Sequence, residues 1–342
     1  MENLTIITDF ILLDFPELHQ LEYSMGVFLL ASYLLTLAGN ITIIFIITHN
    51  HQLHTPMYFF LWNLSCLEIL ITTSVVPKVL ASLLLGFRSI SYPACLSQCY
   101  FFFFLGSSEF VLLAVMSYDR YVAICNPLCY ASIMSTKLCL WLVVASCAAG
   151  FLATILPTIL VAGLPFCHGN EIDHFFCDSL ALMKLACSDT SLVELVSFFS
   201  SSATILSSLI FTVVSYTYII TTILKIQSAS GKHKAFSTCS SHLIIVILGY
   251  GSCIFMYVRP SGSNPSINKM VSLINTVLTP VLSPFIFSLR NKQVKDAVKA
   301  AFISWAGYLK SNPKLGHGFS KRKQENGKKG RNECKAKCLF PC

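Results

Sequence analysis

The sequence predicts an all-α membrane protein, a bundle of seven transmembrane helices with its N-terminus outside the cell. Three observations carry this reading. Hydrophobic residues fill 54% of the 342 positions and charged residues 12%, whereas a soluble domain runs at about a quarter charged. Seven apolar stretches exceed the roughly twenty helical residues that span a hydrocarbon core. Only polar or Pro-containing segments divide them, so the apolar part makes one membrane domain rather than two soluble cores.

The predicted spans are Val27–Thr48, Tyr58–Leu80, Cys99–Ile124, Leu138–Val161, Leu195–Leu224, Ala235–Tyr257 and Ile267–Leu289. The fifth is rich in Ser and Thr and the sixth begins weakly, which blurs their limits. Residues 1–24 are expected to form an extracellular N-terminus, 25–290 the seven-helix domain, 291–305 an amphipathic cytoplasmic helix and 306–342 a disordered basic tail. No cleavable signal peptide is expected. Residues 1–22 hold five acids and no Lys or Arg, the reverse of a leader that starts basic and turns apolar.

Orientation follows from charge. With the N-terminus outside, the cytoplasmic side receives Arg120, Lys137, Lys225, Lys232, Lys234 and the fourteen Lys and Arg from Arg290 onward. The outer side receives Lys78, Arg88, Lys184, Arg259, Lys269 and ten of the sixteen acids. Without the tail the basic residues tie at five against five, so the acid-rich N-terminus supports this orientation without deciding it. The acceptor Asn3-Leu4-Thr5 for glycosylation at Asn3 requires the same side. From Arg290 to Phe302, basic residues alternate with Val294, Ala297, Val298 and Ala301, the pattern of a helix lying on the inner leaflet. The Lys321–Lys337 segment suits anionic membrane lipid and equally a solvated charge run, and no nucleic-acid partner is expected. Cys334, Cys338 and Cys342 offer palmitoylation positions, but no Cys stands fourth from the end to make a prenylation box.

Cys66, Cys125, Cys129, Cys139, Cys147, Cys239 and Cys253 lie in or beside spans and read as small buried apolar groups. Cys95, Cys167, Cys177 and Cys187 face the oxidising side; four such cysteines allow three pairings, which spacing does not resolve. His168 and His174 lie among them without the ligand spacing of a zinc site and read as solvated. No metalloprotease motif, nucleophile elbow or phosphate loop occurs, and Asp119 with His242 makes no triad, so the chain is not read as an enzyme. A channel or transporter would show charged pore rings, broken helices or related halves. No internal repeat is present, and only two acids, Glu68 and Glu109, lie deep in the spans.

Six strings in order carry a resemblance. Gly39-Asn40 falls in the first span, and Leu53-His54-Thr55-Pro56-Met57-Tyr58-Phe59-Phe60-Leu61 joins the first to the second. Met116-Ser117-Tyr118-Asp119-Arg120-Tyr121-Val122-Ala123-Ile124-Cys125 ends the third, followed by Asn126-Pro127-Leu128. Ser215-Tyr216 lies late in the fifth, and Lys234-Ala235-Phe236-Ser237-Thr238-Cys239-Ser240-Ser241-His242-Leu243 opens the sixth. Pro280-Val281-Leu282-Ser283-Pro284-Phe285-Ile286-Phe287-Ser288-Leu289-Arg290-Asn291 closes the seventh. Over residues 1–305 the chain resembles the olfactory (odorant) receptor family of rhodopsin-like, class A G-protein-coupled receptors.

The resemblance implies an odorant receptor in the plasma membrane, in cilia of olfactory sensory neurons, that activates a stimulatory olfactory-type heterotrimeric G protein and raises cAMP. It favours the pairs Cys95–Cys177 and Cys167–Cys187. It makes Asp119 and Arg120 a latch, with Arg120 held by Asp119 at rest and released toward Tyr216 and the G protein; Tyr121, Ser283, Pro284 and Phe287 complete the switch set. Pro284 lacks an amide donor and marks a hinge in the seventh helix.

The third helix carries Phe102, Gly106, Glu109 and Leu113 on one face, flanked by Phe103, Ser107 and Phe110. The resemblance brings these upper positions together with Ser200, Ser201 and Thr204 of the fifth helix and Tyr250, Cys253, Ile254 and Tyr257 of the sixth. The upper set is expected to hold no acid or base, which favours a small, neutral, mostly apolar volatile with one polar group and disfavours amines. Glu68 and Glu109 are expected to point into the bundle close to one another, where two unscreened carboxylates share a proton or a cation. The resemblance favours a sodium ion at this pair; no other cofactor is expected. Ser283 where Asn is usual, Phe287 where Tyr is usual and Gly249 where a bulky residue is usual imply weakened activation with folding intact.

Overall fold

The computed structural model describes residues 8–13, 21–167, 169–257, 265–290, 294–297 and 299. The chain divides into two compact units, residues 1–298 and 299–342, and of the second only Lys299 is described. The short strand β1 (Asp9–Leu12) precedes helices α1 (Glu22–His49) and α2 (Pro56–Leu85). Strand β2 (Ser89–Ser91) leads into α3 (Tyr92–Cys125), then α4 (Thr136–Ala162) and strand β3 (Glu171–Ile172). Helices α5 (Ser191–Lys225) and α6 (Ala229–Tyr257) follow. The last, α7, runs Pro265–Leu273, a π-helical stretch Ile274–Leu278, then Thr279–Arg290.

These helices outrun the predicted spans. Helix α3 starts at Tyr92 rather than Cys99 and α6 at Ala229 rather than Ala235, because apolarity marks the hydrocarbon layer and not the end of the hydrogen-bond ladder. Proline stands in the first turn of α2 and α3, where its missing N–H has no helical partner to lose. Helices α1 to α5 and Lys269–Ser288 of α7 are long and apolar enough to cross a membrane. In α6 the apolar stretch among the described residues is Cys239–Cys253.

The bundle is inside-out relative to a soluble core. Trp141 is 61% and Leu152 70% exposed, surfaces that lipid solvates, while Asn40, Glu68, Ser117 and Asp119 are buried. Buried hydroxyls mostly bond within their own helix, as Thr36 to the Ser32 carbonyl at 3.0 Å and Thr72 to that of Glu68 at 2.7 Å. Helix α3 is central, packing on α2, α4, α5 and α6. Its approach to α4 needs Gly150: a Cβ there would collide with the Ser108 hydroxyl and come within 2.7 Å of the Phe104 carbonyl.

The extracellular end is closed by a sheet that the sequence did not announce. Strand β1 lies between β2, antiparallel with Phe10 opposite Ile90, and β3, parallel with Leu12 opposite Ile172. Phe10 and Leu12 are fully buried in one cluster with Ile90, Ile172, Cys95 and Cys177. Cys95 is disulfide-bonded to Cys177 and Cys167 to Cys187, with Cα separations of 5.3 and 5.7 Å. The Lys269 ammonium at the top of α7 meets Asp173 at 2.6 Å and donates to the Leu13 carbonyl at 3.1 Å, fastening the lid to the bundle.

Two expectations need correction. His174 is buried, not solvated: its ring packs against Phe175 and Phe176 at 4.7 and 4.5 Å. Burial holds its imidazole below the usual range, with the Asp178 carboxylate opposing. Cys129 is exposed rather than buried, because it falls in a helical turn beyond the end of α3. Of the helix expected over 291–305, residues 294–297 and 299 are helical and the rest lie outside the described residues, as do Asn3, His168, Lys321–Lys337 and the three tail cysteines.

Candidate ligand cavity and cytoplasmic latch

A cavity of about 160 Å³ opens in the extracellular half of the bundle. Helix α3 supplies Phe102, Phe103, Gly106, Ser107, Glu109, Phe110 and Leu113, which recur at helical spacing because they share one face. Helix α5 adds Ser201 and Ile205, α6 adds Ile245, Gly249 and Cys253, and the lid adds Phe176 and Asp178. Of the predicted ligand set, Phe102, Phe103, Gly106, Ser107, Phe110, Ser201 and Cys253 are therefore brought together. A smaller cavity of about 50 Å³ between α3, α4 and α5 shares Phe103, Ser107 and Ser201 with it.

Ser200, Thr204 and Tyr250 do not line the main cavity. The Ser200 hydroxyl is committed to the Ala153 carbonyl of α4 and Thr204 to the Ser200 carbonyl at 3.0 Å. Tyr250 lies behind Phe110, with ring centroids 5.0 Å apart and its hydroxyl donating to the Phe110 carbonyl at 3.2 Å. The side chains of Ile254 and Tyr257 lie outside the described residues.

The expectation of a pocket without acids is overturned, since Glu109 and Asp178 both line it. Glu109 shares the α3 face that the spacing had defined. Helix α7 was missed altogether: Ser272, Asn275 and Thr279 line the cavity. Their i, i+3, i+7 spacing was a readable signal, and the π-helical stretch sets Asn275 within it. Such one-turn expansions recur at functional sites.

Beneath the cavity Glu68 is fully buried, and among the described residues neither of its carboxyl oxygens takes a hydrogen bond; nor does Asn40 Oδ1. The polar neighbours of Glu68 are Ser283 and Asn40, and Glu109 acts on it through space. An acid flanked by oxygen acceptors that find no donor is a fitting cradle for a hard cation. Among the described residues no group of three or more His, Cys, Asp or Glu gathers to hold a metal, so two carboxylates are the whole anionic complement.

At the cytoplasmic end Arg120 is 6% exposed and its guanidinium donates to Asp119 Oδ2 at 2.9 Å. The other Asp119 oxygen accepts from the Tyr130 hydroxyl at 2.7 Å. Burial and then the Asp119 carboxylate push the Tyr130 phenol above its usual range, which keeps it a donor. Tyr216 does not reach toward Arg120; its hydroxyl bonds with His242 Nδ1 at 2.8 Å and the two rings stack. Tyr121 packs on the cluster of Tyr216, Ile219 and Cys239 and against Tyr218. In α7, Ser283 is buried beside Glu68, Pro284 lies where a Cβ on Gly39 would touch it at 2.7 Å, and Phe287 joins the core of Leu113, Met116 and Ile245. Tyr130 lay outside the recognised strings, and no sequence signal marked it.

Residues 29–304 match the family model described as olfactory receptor. Human Olfactory receptor 6F1 is 51% identical over 297 residues, 86% of this chain and 96% of that protein. Human Olfactory receptor 6C76 is 51% identical over 87% of this chain and 96% of its own length. Mouse Olfactory receptor 6E1 is 50% identical over the same shares. A bundle of seven helices, closed outside by a disulfide-tied lid and inside by an Asp–Arg pair, with relatives of this closeness over most of its length, makes this chain a member of the olfactory receptor family of G-protein-coupled receptors, a multi-pass membrane protein and not an enzyme.

Proposed function

We propose that this receptor binds a small, mostly apolar volatile in the cavity among α3, α5, α6 and α7 and activates a stimulatory G protein to raise cAMP in olfactory cilia. The observation that carries the reading is the pairing of a mostly apolar cavity outside with a closed cation latch inside. At about 160 Å³ the cavity falls below the roughly 300–1,000 Å³ of sites for drug-sized ligands, which fits a volatile. Binding that favours the open cytoplasmic state would free Arg120 from Asp119, and Tyr216 from His242. Screening volatiles against cells expressing the full chain, with cAMP as readout, tests this. Arg120→Ala should abolish the response at unchanged surface level; an intact response removes the latch, and a response through another second messenger removes the stimulatory G protein.

A sodium ion is the cation proposed for the acid pair, held by Glu68 with Asn40 Oδ1 and Ser283, while Glu109 adds negative charge from the cavity side. Its chemistry is charge compensation, which holds the inner ends of α1, α2 and α7 together in the resting state. The unpartnered oxygens of Glu68 and Asn40 support this placement.

A further inference from the structure

The cavity is deep for its volume. Its α3 wall runs from Phe102 to Leu113, about 16 Å of helix at 1.5 Å per residue. Its α6 wall is Ile245, Gly249 and Cys253, one residue per turn. A Cβ on Gly249 would touch only Phe110, at 3.6 Å. The missing side chain is therefore what keeps the middle of the column open, so that a molecule entering past Phe102 can extend to the floor.

Near that floor stands Glu109. It accepts no hydrogen bond among the described residues, and no Lys, Arg or His among them lines the cavity. Of the α7 polar groups on the wall, Asn275 Oδ1 already accepts from Ser252, and the Thr279 hydroxyl donates to the Ile274 carbonyl at 3.5 Å. A carboxyl left free in an apolar column selects its partner strongly, because a buried polar group without one costs about 1–3 kcal/mol. A carboxylic acid ligand meets repulsion from Glu109 and from Asp178. An ether or ketone can only accept, and so pairs with a protonated acid alone; an ammonium pairs with an ionised one alone. A hydroxyl both donates and accepts and satisfies Glu109 in either state.

We infer that the ligand is a compact alcohol whose hydroxyl pairs with Glu109 at the cavity floor, and that Gly249 sets the length of hydrocarbon admitted. The inference rests on this cavity being the ligand site. Its α3 phenylalanines pack the hydrocarbon.

The test is agonist dose–response in cells expressing the full chain, with straight-chain primary alcohols of increasing length and the methyl ethers, aldehydes, carboxylic acids and amines matched to each. The native chain should respond to alcohols at concentrations at least about tenfold lower than to matched ethers, the worth of one hydrogen bond. Glu109→Met, which keeps the length but cannot accept, should abolish that preference, read as the alcohol-to-ether ratio within the variant. Gly249→Phe should shift the optimum to shorter alcohols. Gly249→Ala, whose methyl makes only an ordinary contact, should shift it the same way by less and guards against a misfolded Phe variant. Ethers or acids equal to alcohols in the native chain overturn the inference and leave the receptor function standing. A preference that survives Glu109→Met, or an optimum unmoved by both Gly249 variants, also overturns it. Silence toward every class overturns both.

Discussion

Phe10 should hold the extracellular lid shut, and its removal should be measurable amide by amide. Its side chain is fully buried, with Phe166 edge-on at 5.6 Å and Tyr92 tilted at 6.1 Å. A buried aromatic removes at least about 150 Å² from water, which at about 25 cal/mol per Å² is about 4 kcal/mol. That falls within the roughly 3–5 kcal/mol typical of Phe→Ala in a core. The lid is a local structure, so the loss should appear as local opening rather than global unfolding. The reporters are the amides of Ile11, Leu12 and Leu13, which donate to the carbonyls of Asn170, Arg88 and Ile172 at 2.8, 3.0 and 2.8 Å. At a factor of ten per 1.4 kcal/mol, Phe10→Ala should speed their exchange by about 10² to 10³, while Phe10→Leu, close in volume, should change it by about tenfold at most. Hydrogen exchange on purified receptor, read by mass spectrometry, gives the ratio. Acceleration below about tenfold in Phe10→Ala, with helix amides unchanged, would refute the claim that this ring supports the sheet.

Other consequences follow from the same geometry. Tyr130→Phe removes the donor to Asp119 Oδ1 and should raise basal cAMP severalfold at matched surface level; unchanged basal output would take Tyr130 out of the latch. Ser283→Asn with Phe287→Tyr adds reach beside Glu68 and a hydroxyl in the layer above Tyr216, and maximal signalling should rise; no gain would mean that the chain is adapted to its own pattern. Replacing sodium with a large organic cation on both sides of the membrane should raise basal cAMP in the native chain but not in Glu68→Gln/Glu109→Gln, and an identical response in both would defeat the cation proposal. Because burial holds His174 below its usual range, the unfolded lid takes up that proton first. Lid stability should thus be full at neutral pH and fall as pH drops through about 6.5; thermal melting against pH should flatten in that window in His174→Gln, and an unaltered profile would exclude the imidazole.

Apolar run length was enough to place all seven helices, because lipid demands it of each one. The pocket was legible where side chains repeat along one helix, as Phe102, Gly106, Glu109 and Leu113 do, and illegible where lining depends on helix rotation. Ser200 and Thr204 share α5 with Ser201, yet their hydroxyls turn to carbonyls of α4 and α5, a choice that only packing makes. The π-helical stretch in α7 adds a residue to one turn, and no local propensity in Ile274-Asn275-Thr276-Val277-Leu278 marks it. Strand β1 was invisible for another reason. Four residues pair with two loops lying about 80 and 160 positions downstream, and the sheet exists only once the disulfides and α3 have brought those loops together.

The cavity and the latch are separated by a largely apolar layer, and that constrains how one can act on the other. Leu112, Leu113, Met116, Ile245 and Phe287 belong to one buried cluster between them. Glu109 and Arg120 are eleven residues apart on α3, about 16 Å, too far for a charge at one to be felt directly as a contact at the other. The buried Ser117 hydroxyl in this layer turns to the Leu113 carbonyl at 3.1 Å and to Thr212 at 3.4 Å, and so closes on its neighbours without linking Glu109 to Arg120. Transmission must therefore be a movement of whole helices, which packed interfaces permit only between discrete arrangements. The tie best placed to convert ligand contact into such a movement is Phe110 with Tyr250. Phe110 forms cavity wall, while the Tyr250 hydroxyl holds its carbonyl and the two rings pack, so α3 and α6 meet beside the ligand itself. A ligand that fits the cavity equally in both arrangements shifts nothing, however tightly it binds. An agonist has to press on Phe110 differently when α6 moves, and the open space at Gly249, one residue from Tyr250, lets the ligand reach that contact.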